Sequence, residues 1–333
     1  MKERDAYFDN AKFLLILLVV FGHLVRSFIE DSPELMQVYK LIYTFHMPAF
    51  ILISGYFSKG FHKKGYLLKM AKKLLLPYAI FQIMYSVYFY LIKPDGTMDW
   101  NLLDPNWSLW FLLSLFYWNA MLFLFSKSGW KIAIPVAAAI GAASGCADFL
   151  SNYLSLSRTL VYFPVFLLGY FMKREHFALL ASPVRRMLSI IVLFGTWAAF
   201  HLISFDFEWL HGSKPYGDFG AAGWEGIAIR LCLYGLTLLC MLSFLALVPS
   251  GETIFTKWGG RTLYVYLLHG FIINGIRYSH FSDWLKSHTA QLFLCIVLAS
   301  FFTCILSTNA VRILAQPLIE LRASQLRRVL GFL

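Results

Sequence analysis

This sequence has little charge. Only 14% of its 333 residues are Asp, Glu, Lys or Arg, against 59% hydrophobic and 18% aromatic, and its mean hydropathy is +0.63. Ordinary soluble domains carry roughly 25% charged residues, so that class is excluded. Paired cysteines are also missing. Cys146, Cys232, Cys240, Cys295 and Cys304 are odd in number, lie in or beside apolar segments and form no Cys-x-x-Cys pair, so neither a disulfide framework nor a metal site is expected. There is no fixed-period repeat, no low-complexity linker and no separate soluble domain. The glycines of "WGGR" (258–261) are too few for a phosphate-binding P-loop. The first apolar run lacks a small-residue cleavage pattern, and Glu3, Asp5 and Asp9 make its flank mixed in charge, so residues 1–27 read as an uncleaved span rather than a signal peptide.

What fills the chain instead is a series of apolar stretches of roughly 16 to 22 residues, the length that crosses a hydrocarbon core of about 30 Å. Spans are expected near 13–28, 41–57, 75–92, 107–125, 132–147, 159–172, 187–205, 226–247, 262–279 and 290–308. The fold class is an all-α, polytopic transmembrane bundle of about ten spans, one integral-membrane domain over 1–333. About 21 of the 29 Lys and Arg then fall on the side of the termini (Lys2, Arg4, Lys12 and the runs around 59–73, 127–131, 173–186, 257–261 and 312–328), which the positive-inside rule makes cytoplasmic. About 12 of the 18 carboxylates fall on the other side, among them Asp95, Asp99, Asp104, Asp206, Glu208 and Asp218. The net charge of +11 is therefore topological, and a nucleic-acid partner is not expected. The lipid bilayer of the cell (plasma or inner) membrane is the expected location. The longest outer loop, "DFEWLHGSKPYGDFGAAGW" (206–224), has the turn residues of an ordered loop that can cap a site.

The first span, "DNAKFLLILLVVFGH" (9–23), holds two ionisable residues eleven positions apart. On a helix that is three turns plus roughly 20°, with about 16 Å of rise, so Lys12 and His23 share a face at different depths. An ionisable residue inside a span needs a cavity or a partner. The plainer reading is an interfacial snorkelling lysine and a hydrogen-bonded packing histidine.

The same words carry a family resemblance. A basic residue, ten residues, then histidine resembles the first span of the membrane acyltransferase family three, with lysine where arginine is commoner. "YTFHMPAFILISGYF" (43–57), "KKLLLPY" (72–78), "WSLWFLL" (107–113), "RTLVYFPVFLLGY" (158–170) and "GGRTLYVYLLHG" (259–270) resemble its second, third, fourth, sixth and ninth spans, in order. The resemblance implies transfer of an acyl group, usually acetyl from cytoplasmic acetyl-CoA, to a sugar or glycan hydroxyl at the membrane. The "DN-x-K" start is similar to the fucose and exopolysaccharide O-acetylase subgroup. The donor would be a substrate, with no permanently bound cofactor, and the acceptor a glycan or lipid-linked sugar.

That chemistry assigns expected roles. His23 suits the general base, since imidazole titrates near working pH, although no carboxylate shares its span at helical spacing to orient it. Lys69, Lys72 and Lys73, in a loop before the third span, suit coenzyme A phosphates, as does Lys12; ordinary topology also accounts for lysines there. Arg261 competes between donor binding and topology. On the acceptor side, His46 lines a cavity or satisfies backbone near the kink at Pro48. Trp107 and Trp110 stack on sugar or belong to the interfacial belt. Arg158 and Arg230 hold a glycan hydroxyl or a polyprenyl phosphate, or pair with Asp148 or Glu225. His269 joins the cavity or packs beside Gly270. The rival reading is a polysaccharide exporter or flippase without acyl transfer, whose ionisable residues line a path.

Overall fold

A computed structural model of the chain describes residues 5–93, 100–150, 153–286 and 289–322. Lys2, Glu3, Arg4, Asp95, Asp99, Arg327 and Arg328, used above in reading charge, lie outside the described residues. Among the described residues there are thirteen α-helices and no strand. In chain order they are α1 (Ala6–Val25), α2 (Pro33–Phe57), α3 (Tyr66–Ile92), α4 (Trp110–Phe125), α5 (Trp130–Ala143), α6 (Leu156–Phe171) and α7 (Arg174–Leu180). Then follow α8 (Pro183–Leu202), α9 (Gly223–Leu247), α10 (Thr262–Arg277), α11 (His280–Lys286), α12 (Gln291–Leu306) and α13 (Asn309–Ile319). Six segments, built on α1, α3, α4, α6, α8 and α9, are long and apolar enough to cross a membrane, and α12 with α13 forms a further candidate bent by 68°. The chain is an all-α integral membrane protein.

Helix ends differ from the hydropathy boundaries for a physical reason: hydropathy marks the apolar part of a helix, whereas backbone hydrogen bonds continue through polar turns. Asp5 caps α1 by accepting the Tyr7 N–H at 3.1 Å, so Lys12 lies within the helix rather than at its edge. Similarly, α3 begins at Tyr66, after Gly65 at φ 76°. Lys69, Lys72 and Lys73 therefore stand on its first turns and not in a loop, as the good helix propensity of lysine allows.

The helix that carries Lys12 and His23 is central. In α1, 72% of the membrane-length window is buried, against 17% in α8 and 22% in α9, which face outward. Both apolar cores use α1. One gathers Ile16 to Val25 with Tyr85, Leu112 and Leu267; the other gathers Tyr7 to Leu15 with Leu52, Trp118 and Phe166. The helices α2 and α6 touch backbone to backbone, because a Cβ at Gly55 would meet the Phe166 carbonyl and one at Gly169 the Leu52 carbonyl. Such contacts hold α2 closely against α6 beside the spaces described next.

Candidate active site

Lys12, Ile16, Val19 and His23 follow i, i+4, i+7, i+11 spacing along α1, and all four open onto cavities. The first cavity, of about 890 Å³, is basic: Lys12 faces Lys69, Lys72 and Lys73 of α3, with Gly259, Gly260, Tyr264, Glu320 and Arg322 completing the wall. The second, about 350 Å³, runs past Lys12, Ile16 and Val19 and is walled by Met47, Phe50, Lys73 and Tyr266. The third, about 250 Å³, holds His23 with His46, Trp107, Trp110, Arg158 and His211. Lys12, Lys73, Thr262 and Leu263 wall both the first and the second; Val19, Met47 and Tyr266 wall both the second and the third. The three spaces adjoin in series along one face of one helix.

Local sequence explains how the ends are held. Lys12 Nζ pairs with the Asp9 carboxylate at 2.6 Å, one turn earlier. Asn10, fully buried, donates to the carbonyls of Pro249 and Gly251 and accepts from the hydroxyls of Thr253 and Thr256, which ties α1 to the turn before α10. A Cβ at Gly259 would meet the Asp9 backbone, so only glycine lets that turn lie against α1. The "DN-x-K" word is thus a charge pair and a backbone clamp.

At the other end, no described residue hydrogen-bonds the His23 imidazole, and no aspartate or glutamate lines its cavity. Its orientation comes from packing and backbone. The Trp107 ring lies 4.4 Å from it and the His269 ring 5.4 Å, while Arg277 reaches the His23 carbonyl at 3.4 Å and Ser27 Oγ at 2.9 Å. Trp107 sits at φ 52°, a left-handed conformation that is costly for a bulky side chain. Its ring fills the space where a Cβ at Gly270 would stand, so the glycine of "YLLHG" makes room for the tryptophan.

The remaining expected residues separate. His46 lines the third cavity and its Nδ1–H donates to the Ile42 carbonyl at 2.7 Å, not to the Thr44 carbonyl that Pro48 leaves free. Trp110 and Arg158 line the same cavity, the guanidinium lying 5.1 Å over the indole, with no ion pair to Asp148 or Glu225 among the described residues. His269 is not on the wall. It stands behind Trp107, donating from Nδ1 to the Val265 carbonyl at 2.9 Å, its Nε2 buried without a partner. Arg230 is away from the His23 cavity: it is buried against an adjoining pocket of about 20 Å³ and donates to the Trp209 carbonyl at 2.9 Å, holding the 206–224 loop. Arg261 is likewise not on the basic wall; it donates to the Ser307 carbonyl at 2.7 Å, between α12 and α13.

Three further basic residues line the third cavity, Arg26, Arg277 and His211. The arginines lie at span ends, where basic residues are unremarkable. His211 comes from the 206–224 loop, which does cap the site, and its Nε2 is hydrogen-bonded to Tyr39 Oη at 3.0 Å. Burial, then Arg158 and Arg26, push the His211 pKa down to about 3, so it is neutral at physiological pH.

A histidine on one cavity wall, next to a middle cavity that shares walls with a lysine-lined one, is an arrangement suited to group transfer. The acyltransferase-domain profile of the acyltransferase 3 family matches residues 5–309, which include every wall of the second and third cavities. The chain belongs to that family. It is 27% identical over 304 residues to nodulation protein NolL of Sinorhizobium fredii, covering 81% of this chain and 78% of that protein. It is 33% identical over 185 residues to nodulation protein NolL of Mesorhizobium japonicum, covering 50% of this chain and 48%, about half, of that relative. No solved structure matches the acyltransferase.

Proposed function

We propose that the acyltransferase moves an acyl group, most simply acetyl, from cytoplasmic acyl-CoA to a hydroxyl of a membrane-associated or cell-surface glycan. The observation that carries the reading is the series of three adjoining cavities between Lys12 and His23. Coenzyme A is a multiply charged nucleotide on a long thin arm. Its phosphates suit Lys69, Lys72, Lys73 and Lys12, its arm suits the apolar second cavity, and its thioester then lies beside His23. The axial reach from Lys12 to His23 is about 16 Å.

In this reading, with ten spans and both termini cytoplasmic, the acceptor enters the third cavity from the opposite side. His23 takes the hydroxyl proton as the acceptor oxygen bonds to the acyl carbon. The carbon–sulfur bond breaks, and His23 returns the proton to the departing coenzyme A thiolate. Alcohol and thioester become ester and thiol, and the base is restored.

The test is acyl labelling of glycan by membranes supplied with labelled acetyl-CoA. His23→Ala is expected to lower the rate about 10²- to 10⁴-fold at unchanged membrane level. Lys12→Ala is expected chiefly to raise the donor KM, and Lys12→Arg to be tolerated. Unchanged acylation in His23→Ala, with glycan displaced across the membrane, would favour an exporter instead.

A further inference from the structure

We infer that the acceptor bound in the third cavity carries an anionic group, a phosphate or a carboxylate, read by Arg26, Arg158 and Arg277. The inference rests on the acyl-transfer reading for the word acceptor, but the anion site itself does not depend on it. Three guanidiniums open onto one space of about 250 Å³ whose wall contains no aspartate or glutamate. Arginine stays charged, so like charges converging on so small a space repel unless something negative sits between them.

Each guanidinium is held without being neutralised inside the cavity. The Arg158 guanidinium lies 5.1 Å from the Trp110 ring centre and that of Arg26 4.8 Å from the Phe207 ring centre, cation–π contacts that cancel no charge, while the Asp104 carboxylate acts on Arg158 from outside the cavity wall. Arg26 reaches Glu30 at 3.3 Å, but that carboxylate is 75% exposed and outside the wall. Arg277 is fixed by neutral acceptors, Ser27 Oγ, Asn274 Oδ1 and the His23 carbonyl. Neutral His211 adds no charge of its own beside them. A planar fork on rigid supports suits the oxygens of phosphate or carboxylate. Because Arg277 also holds the His23 backbone, an anion bound there places a neighbouring hydroxyl within reach of the base.

Binding to purified full-length protein in nanodiscs tests this, with calorimetry as the readout. In one arm, glucose 1-phosphate and glucuronate are compared with methyl glucoside; in the other, decaprenyl phosphate is compared with decaprenol. The expected result is that an anionic probe in at least one arm binds ten-fold or more tighter than its neutral counterpart, the arm showing whether a sugar or a lipid headgroup supplies the charge. The preference should persist when Lys69, Lys72 and Lys73 are changed to glutamine, which excludes the donor cavity as its source. It should fall in Arg158→Gln and recover in part in Arg158→Lys. Equal binding of anionic and neutral probes in both arms by the unaltered protein would overturn the inference, and needs no variant to fold. So would a preference that the triple glutamine change abolishes. Acylation of a neutral glycan with no anion preference would sink this inference alone, whereas anion binding without acylation would sink the transfer reading alone.

Discussion

At the scale of single residues, the site divides into what spacing reveals and what only folding assembles. The common face of Lys12 and His23 is legible in the sequence because both sit on one regular helix, where a separation of eleven fixes it. His211 is not, since a histidine in a loop carries no periodicity and its burial is decided by Tyr39 and the arginines packed around it. Arg230 misled for the opposite reason: its place at a span start resembles that of Arg158, yet the Trp209 carbonyl captures it. The buried His211 makes a pH prediction. Its folded pKa, about 3, lies below the ordinary 6.5, so between those values the opened loop binds a proton that the closed loop does not. Its contribution is complete above about 6.5 and is lost as the pH falls toward 3, with a limiting slope of about 1.4 kcal/mol per pH unit. Hydrogen exchange of residues 206–211 at pH 7 and pH 5 should show loosening at the lower pH, and His211→Asn should flatten that difference. An equal pH response in the variant would assign the slope to other groups.

At the scale of elements, each of the ten expected apolar runs falls on a helix, but among the described residues only six helices, or seven spans with the bent pair, are long and apolar enough to cross a membrane. The ends were less visible. α7, α11 and α13 are short or amphipathic and have no such run, and the bend of 68° between α12 and α13 leaves no hydropathy signature. In the proposed mechanism the functional element is α1, and its register is required. Inserting one alanine after Leu17 turns Lys12 and Ile16 about 100° away from His23. Asn10 is clamped to the turn at 249–256, so the amino-terminal part cannot simply rotate to compensate. Acylation should be abolished while immunoblots show near-normal membrane level. Near-normal activity would separate the shared face from the mechanism.

At the scale of the whole molecule, the lysine cavity and the arginine cavity lie toward opposite ends of α1. Phe57, just before the 58–65 turn, packs on Phe8 near the lysine end, while the 206–224 loop supplies His211 to the other. Reporters inserted after residue 64 and within 206–224 should therefore read as cytoplasmic and external, in agreement with the distribution of basic residues. The same side for both would contradict a donor and an acceptor meeting across the membrane. The central claim is that the acyl group reaches His23 through the middle cavity. Met47 walls the second and third cavities together and is half-buried, so Met47→Trp obstructs the passage without altering Lys12 or His23. The decisive measurement sets acetyl-CoA affinity beside the acylation rate in Met47→Trp, with Met47→Leu as the control. The account predicts donor affinity within about three-fold of the unaltered protein and a rate lowered at least about 10²-fold, with Met47→Leu near normal. A well-inserted Met47→Trp protein that acylates at the normal rate would contradict it.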